Sequence, residues 1–70
     1  MAYFETDMMS RNNIERFQKL FNQLVGVDYE VNQDDDDSYY IVITELETEE
    51  EISITNRIHS HIMADTPLFD

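Results

Sequence analysis

The stretch from Asp28 to Glu51 limits what this chain can fold into more than any other, because it is crowded with carboxylates and contains no Lys or Arg. Uncompensated charge of one sign costs folding free energy through self-repulsion, which is screened only over about 8 Å at physiological salt. A chain that tolerates this cost is expected to use the resulting negative field. The stretch therefore predicts both an acidic surface and a segment with a function.

Two strands and a turn are predicted within this stretch. Residues 27–32 alternate between hydrophobic and polar types, which is the period of a half-buried strand. Residues 39–46 form a β-branched and aromatic run, and the Asn-, Asp- and Ser-rich residues 32–38 between them favour a turn. The pattern predicts an antiparallel hairpin with aspartates at its tip.

A helix is predicted on each side of the hairpin. The first begins at Ser10, places Ile14, Phe17 and Phe21 on one face, and ends at Gly26, the only glycine of the chain. The second begins at Thr48, whose spacing to three following glutamates resembles a capping box. Residues 51–55 also alternate as a short strand would, so a third strand there is the alternative.

Together these elements predict an α+β fold. Residues 1–70 are expected to form a single small domain of the order helix, β-hairpin, helix, with both helices on one face of an antiparallel sheet. The opposite sheet face is expected to expose Asp28, Glu30 and either Tyr40, Val42 and Thr44 or their neighbours. Residues 1–9 and 65–70 are expected to be irregular ends.

The charge balance points to a cationic partner. Sixteen acidic residues against four basic ones give a net charge of −12, while 41% hydrophobic residues with four Tyr and four Phe indicate a folded chain rather than a disordered tail. Anionic nucleic acid and anionic membranes would be repelled, and a basic protein surface would be attracted. Without Cys, an export signal or a long apolar run, the chain is expected to be cytoplasmic.

Catalytic and metal-binding motifs give weak matches. The chain has no phosphate-binding glycine loop, nucleophile elbow or His-Glu-x-x-His motif, so we expect it not to be an enzyme. Asp34 to Glu45 has the length of a calcium loop, but Tyr39 occupies the position that requires Gly. His59 and His61 diverge on a helix and lack a third ligand nearby. No metal or cofactor is therefore expected.

The acidic hairpin and the residues after it resemble a known class of proteins. Val31 to Glu47, running into Glu49-Glu50-Glu51-Ile52, is similar to the acidic hairpin-then-helix of small phage-encoded anti-CRISPR proteins that occupy the DNA-binding cleft of a Cas nuclease. The resemblance implies a DNA mimic that acts in the host cell. In that case the carboxylates of Asp34–Asp37, Glu45, Glu47 and Glu49–Glu51 would stand in for phosphates.

Two functions follow as hypotheses. The first is a non-enzymatic inhibitor that mimics DNA and occupies the basic cleft of a nucleic-acid-binding enzyme such as a CRISPR nuclease. The alternative is a small adaptor or regulatory protein that binds its partner through an apolar sheet or helix face, with the charge serving solubility. The expected partner-binding residues are Asp28, Glu30, Asp34, Asp35, Asp36, Asp37, Tyr40, Glu45, Glu47, Glu49, Glu50 and Glu51.

Overall fold

Two helices cover one face of a three-stranded antiparallel sheet in the computed structural model, which describes residues 2–69. The elements follow in the order β1 (Ala2–Glu5), α1 (Arg11–Leu24), β2 (Glu30–Asp35), β3 (Ser38–Leu46) and α2 (Glu49–Ala64). Strand β3 lies in the centre, with β1 and β2 paired antiparallel on its two sides. The predicted α+β class, the hairpin and the position of both helices are confirmed.

The core lies between the helices and the inner face of β3. Alternate residues of β3 from Tyr39 to Ile43 point inward; Ile41 and Ile43 are fully buried, as is Leu46 beyond a shift in the register with β1. Phe17 and Phe21 of α1 are also fully buried and stack at 5.8 Å between ring centroids. From α2, Ile58 completes this cluster. A domain of this size has one thin core, so most of its hydrophobic stabilisation depends on these side chains.

Both helices begin and end where the sequence predicts. The Ser10 side chain caps α1 by accepting a hydrogen bond from the Asn13 N–H at 3.3 Å. After α1, Gly26 takes a φ of +79°, which only glycine adopts without strain, and its N–H donates to the Phe21 carbonyl at 2.9 Å. Thr48 caps α2, and Asp65 ends it in the left-handed conformation.

Strand β1 was not predicted, and the helix–hairpin–helix order is therefore corrected to β-α-β-β-α. The expectation of an irregular segment at residues 1–9 was wrong for Ala2–Glu5, because β3 has a free side that a further strand can pair with. Pairing continues beyond β1. The Thr6 N–H donates to the Ile41 carbonyl at 3.0 Å, and Met9 exchanges two backbone hydrogen bonds with Tyr39.

The helix predicted from Thr48 is confirmed, and the alternative of a third strand at residues 51–55 is excluded, because these residues lie inside α2, where the Thr48 cap and the spacing of Thr55, Ile58 and Ile62 favour the helix. The hairpin turn is shorter than expected. Strand β2 extends through Asp34 and Asp35, so only Asp36 and Asp37 form the turn, and residues 65–69 contain no helix or strand.

Neither helix within residues 2–69 has the length and apolar composition needed to cross a membrane.

Candidate partner-binding surface

The hairpin tip carries four consecutive exposed carboxylates, Asp34–Asp37, which we call the aspartate tip. Its backbone is ordered by its own side chains. The Asp35 carboxylate accepts a hydrogen bond from the Asp37 N–H at 3.1 Å, and the Gln33 amide donates to the Asp35 carbonyl at 3.0 Å. Asp side chains stabilise tight turns in this way, so the tip combines high charge with a defined shape.

The aspartate tip is fastened to the start of α1 through Tyr39. Arg11 donates a hydrogen bond to the Tyr39 hydroxyl at 2.8 Å, and its guanidinium lies 5.6 Å from the Tyr39 ring centroid. The hydroxyl in turn donates to the Asp36 carbonyl at 3.4 Å. The hydrogen bond to Tyr39 raises the pKa of Arg11. Arg11 therefore supports the tip through the Tyr39 side chain rather than through an ion pair with a carboxylate.

A second acidic group lies at the other end of the hairpin. It consists of the residues before β2, at the end of β3 and at the start of α2, and we call it the glutamate end: Asp28, Glu45, Glu47, Glu49, Glu50 and Glu51. Four of these carboxylate residues line an open cleft of about 320 Å³ beside Gly26 and Val27. Asp28 reaches the others because antiparallel pairing brings the start of β2 next to the end of β3.

Glu51 differs from its neighbours because its carboxylate already has protein partners. It accepts hydrogen bonds from the N–H groups of Glu47 at 2.9 Å and Thr48 at 3.1 Å, while the Thr48 hydroxyl accepts the Glu51 N–H. These backbone donors lower the pKa of Glu51. Glu51 therefore fixes the start of α2, whereas Glu49 and Glu50 are exposed in the same turn.

The sheet face away from the helices connects the two acidic groups. Register places Glu30 and Glu5 on the two sides of Val42, and Asn32 beside Tyr40. We call this surface the open face, and it consists of Tyr3, Glu5, Glu30, Asn32, Tyr40, Val42 and Thr44. It contains a shallow depression of about 190 Å³ with both acidic and apolar walls.

Tyr40, Val42 and Thr44 lie on the open face because the inward positions of β3 are taken by Tyr39, Ile41 and Ile43. Of the two sets left open by the sequence, Tyr40, Val42 and Thr44 thus occupy the helix-free face, where Thr44 is exposed and Tyr40 and Val42 are half-buried. Glu30 shares this face, since it lies directly opposite Val42.

All four basic residues lie in the helices, away from the open face. Arg11, Arg16 and Lys19 belong to α1, and Arg57 belongs to α2. Within residues 2–69, none of them forms an ion pair with a carboxylate; the Nε2 atom of His59 lies 3.6 Å from the Asp7 carboxylate and accepts the Asp7 N–H. No carboxylate of the described strands or of the hairpin tip is therefore paired with a Lys or Arg side chain, and Arg11 is the base whose charge reaches the tip, through its Coulombic interaction with Asp37.

The two acidic groups are separated by the length of β3. Nine residues from Ser38 to Leu46 extend about 26 Å. This length corresponds to about eight base-pair steps of 3.4 Å along a DNA strand. The carboxylates expected to act together thus occur as two groups with Glu5 and Glu30 between them, rather than as one continuous row.

Sequence reasoning missed two open-face residues, Tyr3 and Glu5, because β1 was expected to be irregular. Tyr3 is 64% exposed and its hydroxyl donates a hydrogen bond to Glu5 at 2.5 Å. This hydrogen bond is the main reason why the pKa of Tyr3 is raised. The available signal was the alternation of the half-buried Ala2 and Phe4 and the buried Thr6 with exposed residues, which the aromatic side chain of Tyr3 obscured.

The residues weighed as metal ligands have other roles in residues 2–69. The stretch with calcium-loop length consists of paired strands and a tight turn. His59 accepts the Asp7 N–H at 3.1 Å, and the Nδ1 atom of His61 lies 2.7 Å from the Thr66 carbonyl oxygen. Among the described residues, no three His, Asp or Glu side chains are grouped in a way that could hold a metal ion.

Comparisons with protein-family models, with curated proteins and with solved structures found no match to the chain. The candidate function therefore depends on the geometry and chemistry of the residues.

Proposed function

We propose that this protein is a non-enzymatic inhibitor that mimics DNA and occupies the basic cleft of a nucleic-acid-binding enzyme. The observation that carries the proposal is the separation of charge: the open face, the aspartate tip and the glutamate end carry acids, while all four bases lie in the helices. Phosphate-binding clefts are lined by Lys and Arg, which such a surface would attract and pair with.

The partner class follows from the charge and from the resemblance to phage-encoded anti-CRISPR proteins. A CRISPR nuclease holds its nucleic acid in a positively charged channel. The aspartate tip and the glutamate end would contact two parts of such a channel, with Glu5 and Glu30 facing its wall. The protein would then act in the cytoplasm of the host cell and would bind neither nucleic acid nor membrane itself.

The proposal is tested by displacement of labelled duplex DNA from a purified Cas nuclease. We expect the unaltered protein to displace DNA, and we expect displacement to weaken steeply as salt rises, because exposed ion pairs are screened. The triple variant Asp35→Lys, Asp36→Lys and Glu50→Lys should lose displacement while keeping its circular dichroism spectrum.

A matched pair of single variants controls for net charge. Glu50→Lys and Glu15→Lys each reverse one exposed helical carboxylate, but only Glu50 belongs to the glutamate end. Glu50→Lys should weaken displacement more than Glu15→Lys. Retained displacement by the triple variant, or equal loss in both single variants, would contradict DNA mimicry.

A second candidate function is favoured by the apolar part of the open face. Tyr40, Val42 and Thr44 are not covered by any element within residues 2–69, as in an adaptor that docks through its sheet. Such binding would change little with salt, and substitution of Val42 would weaken it more than reversal of Glu50. The salt dependence thus separates the two functions.

A further inference from the structure

The open face has an uncharged stripe along its centre, made of the half-buried Tyr40 and Val42 and the exposed Thr44. Tyr40, Val42 and Thr44 alternate with buried residues along β3, so their side chains follow one another at intervals of about 6.7 Å. The stripe is about 13 Å long. Val42 and Thr44, which line the shallow depression, belong to it.

Carboxylates flank the stripe on both edge strands. Glu5 on β1 and Glu30 on β2 lie opposite Val42, so their Cα atoms are separated by two strand spacings, about 10 Å. The hydrogen bond from Tyr3 holds Glu5 at the surface. Asp28 and Glu45 continue the acidic border at the edge of the depression. The resulting surface is uncharged in the middle and negative on both sides.

These dimensions match an α-helix lying along β3. A helix is about 10 Å across, and residues four apart on one face are separated by about 6 Å along its axis. Hydrophobic side chains at that spacing would contact Tyr40, Val42 and Thr44 in turn. Lys or Arg side chains on both flanks of the helix would reach Glu5 on one side and Glu30 on the other.

We propose that the open face binds a basic amphipathic helix of the partner, with its hydrophobic ridge on β3 and its cationic flanks on Glu5 and Glu30. The inference rests on the proposed function and adds to it the element of the partner that is recognised. DNA-binding proteins commonly present such basic helices to the major groove. A second copy of this chain is a poorer occupant, because it would bring Glu5 and Glu30 against like charges.

The test uses a synthetic amphipathic peptide of about 15 residues, long enough to form a helix on the surface. Leu residues at intervals of three and four are flanked by Arg and Lys, and a scrambled peptide of the same composition is the control. Calorimetry at about 0.1 M salt, where charges are screened over about 10 Å, measures both affinities. We expect the amphipathic peptide to bind about tenfold more tightly than the scrambled one.

Amide chemical shifts of the unaltered protein show where the peptide binds, independently of any variant. We expect the largest changes in residues 40–44 and at Glu5 and Glu30. Changes confined to the aspartate tip would overturn the inference.

A matched pair of double variants tests the flanking carboxylates. Glu5→Gln with Glu30→Gln removes two charges from the open face, whereas Glu15→Gln with Asp65→Asn removes two elsewhere. We expect the first pair to weaken peptide binding about tenfold and the second less than about twofold. Equal effects of the two pairs would overturn the placement of the helix.

The outcomes separate this inference from the proposed function. Equal binding of the amphipathic and scrambled peptides would overturn helix recognition, while displacement of DNA from the nuclease would still support mimicry. Binding of neither peptide would also overturn helix recognition. Only loss of both peptide selectivity and DNA displacement would end both proposals.

Discussion

The two faces of β3 use adjacent residues for opposite purposes. Ile41 and Ile43 point inward and are fully buried against the helices, whereas Tyr40 and Val42 point away from the helices, with Val42 between Glu5 and Glu30. The inner face tolerates no charge because a buried carboxylate would lack a partner. The open face carries charge without compensation.

This difference shows that, within β3, the residues that form the core are distinct from those on the proposed binding surface. Because side chains alternate, a substitution at an even-numbered position from Tyr40 to Thr44 reaches the surface, and one at Ile41 or Ile43 reaches the core. Stability and binding are thus expected to respond to different residues only one position apart.

The largest effect is expected from truncating neighbouring residues on the two faces. Ile41→Ala should lower the free energy of unfolding by about 3 kcal/mol, because it leaves a cavity in a fully buried site. Val42→Ala should lower it by less than about 1 kcal/mol. Urea unfolding followed by circular dichroism measures both, and equal losses would refute the assignment of Val42 to the open face.

A smaller loss of stability is expected from removing the Thr48 cap at the start of α2. Thr48→Ala removes the side chain that caps α2 and should lower the free energy of unfolding by about 1 kcal/mol. Thr44→Ala, an exposed threonine on the open face, is the matched control and should change it by less than about 0.5 kcal/mol. Urea unfolding at neutral pH compares the two, and a loss of less than about 0.5 kcal/mol for Thr48→Ala would show that the cap is dispensable.

The smallest effect concerns Glu51 and its dependence on pH. Backbone donors lower the pKa of Glu51 in the folded protein, so its contribution to stability is present above the ordinary glutamate pKa and is lost as the pH falls through the lowered folded value. Glu51→Gln should therefore be less stable than the unaltered protein at neutral pH, and the difference should shrink in acid.

Glu50→Gln is the matched control, because Glu50 is exposed in the same helical turn. Thermal unfolding measured from neutral to acidic pH should show that the stability of Glu50→Gln relative to the unaltered protein hardly changes with pH. If the stability difference between Glu51→Gln and the unaltered protein stays constant across that pH range, the Glu51 carboxylate does not stabilise the helix cap.

Much of the fold could be predicted from local sequence signals. Ser10, Gly26 and Thr48 mark helix ends through hydrogen bonds and backbone angles within a few residues, and these signals were sufficient. The two faces of β3 also followed from alternation alone. Such features depend on neighbours in the chain, which a single sequence contains.

Strand β1 and the layout of the carboxylates could not be predicted in the same way. β1 has four residues, and its partners in β3 are distant in sequence, as the 35-residue separation of Thr6 and Ile41 shows. The separation between the aspartate tip and the glutamate end arises from strand pairing, which a local pattern does not reveal. Tyr3 and Glu5 were missed for this reason.

The long sequence separation between β1 and its partner β3 has a consequence for how the molecule assembles. The hairpin of β2 and β3 can close locally, whereas β1 must find β3 across a long loop, a slower step because of its entropy. Until then, β3 has an unpaired hydrophobic edge that invites pairing between nascent molecules. Mutual repulsion between strongly anionic chains would keep such molecules apart during that interval.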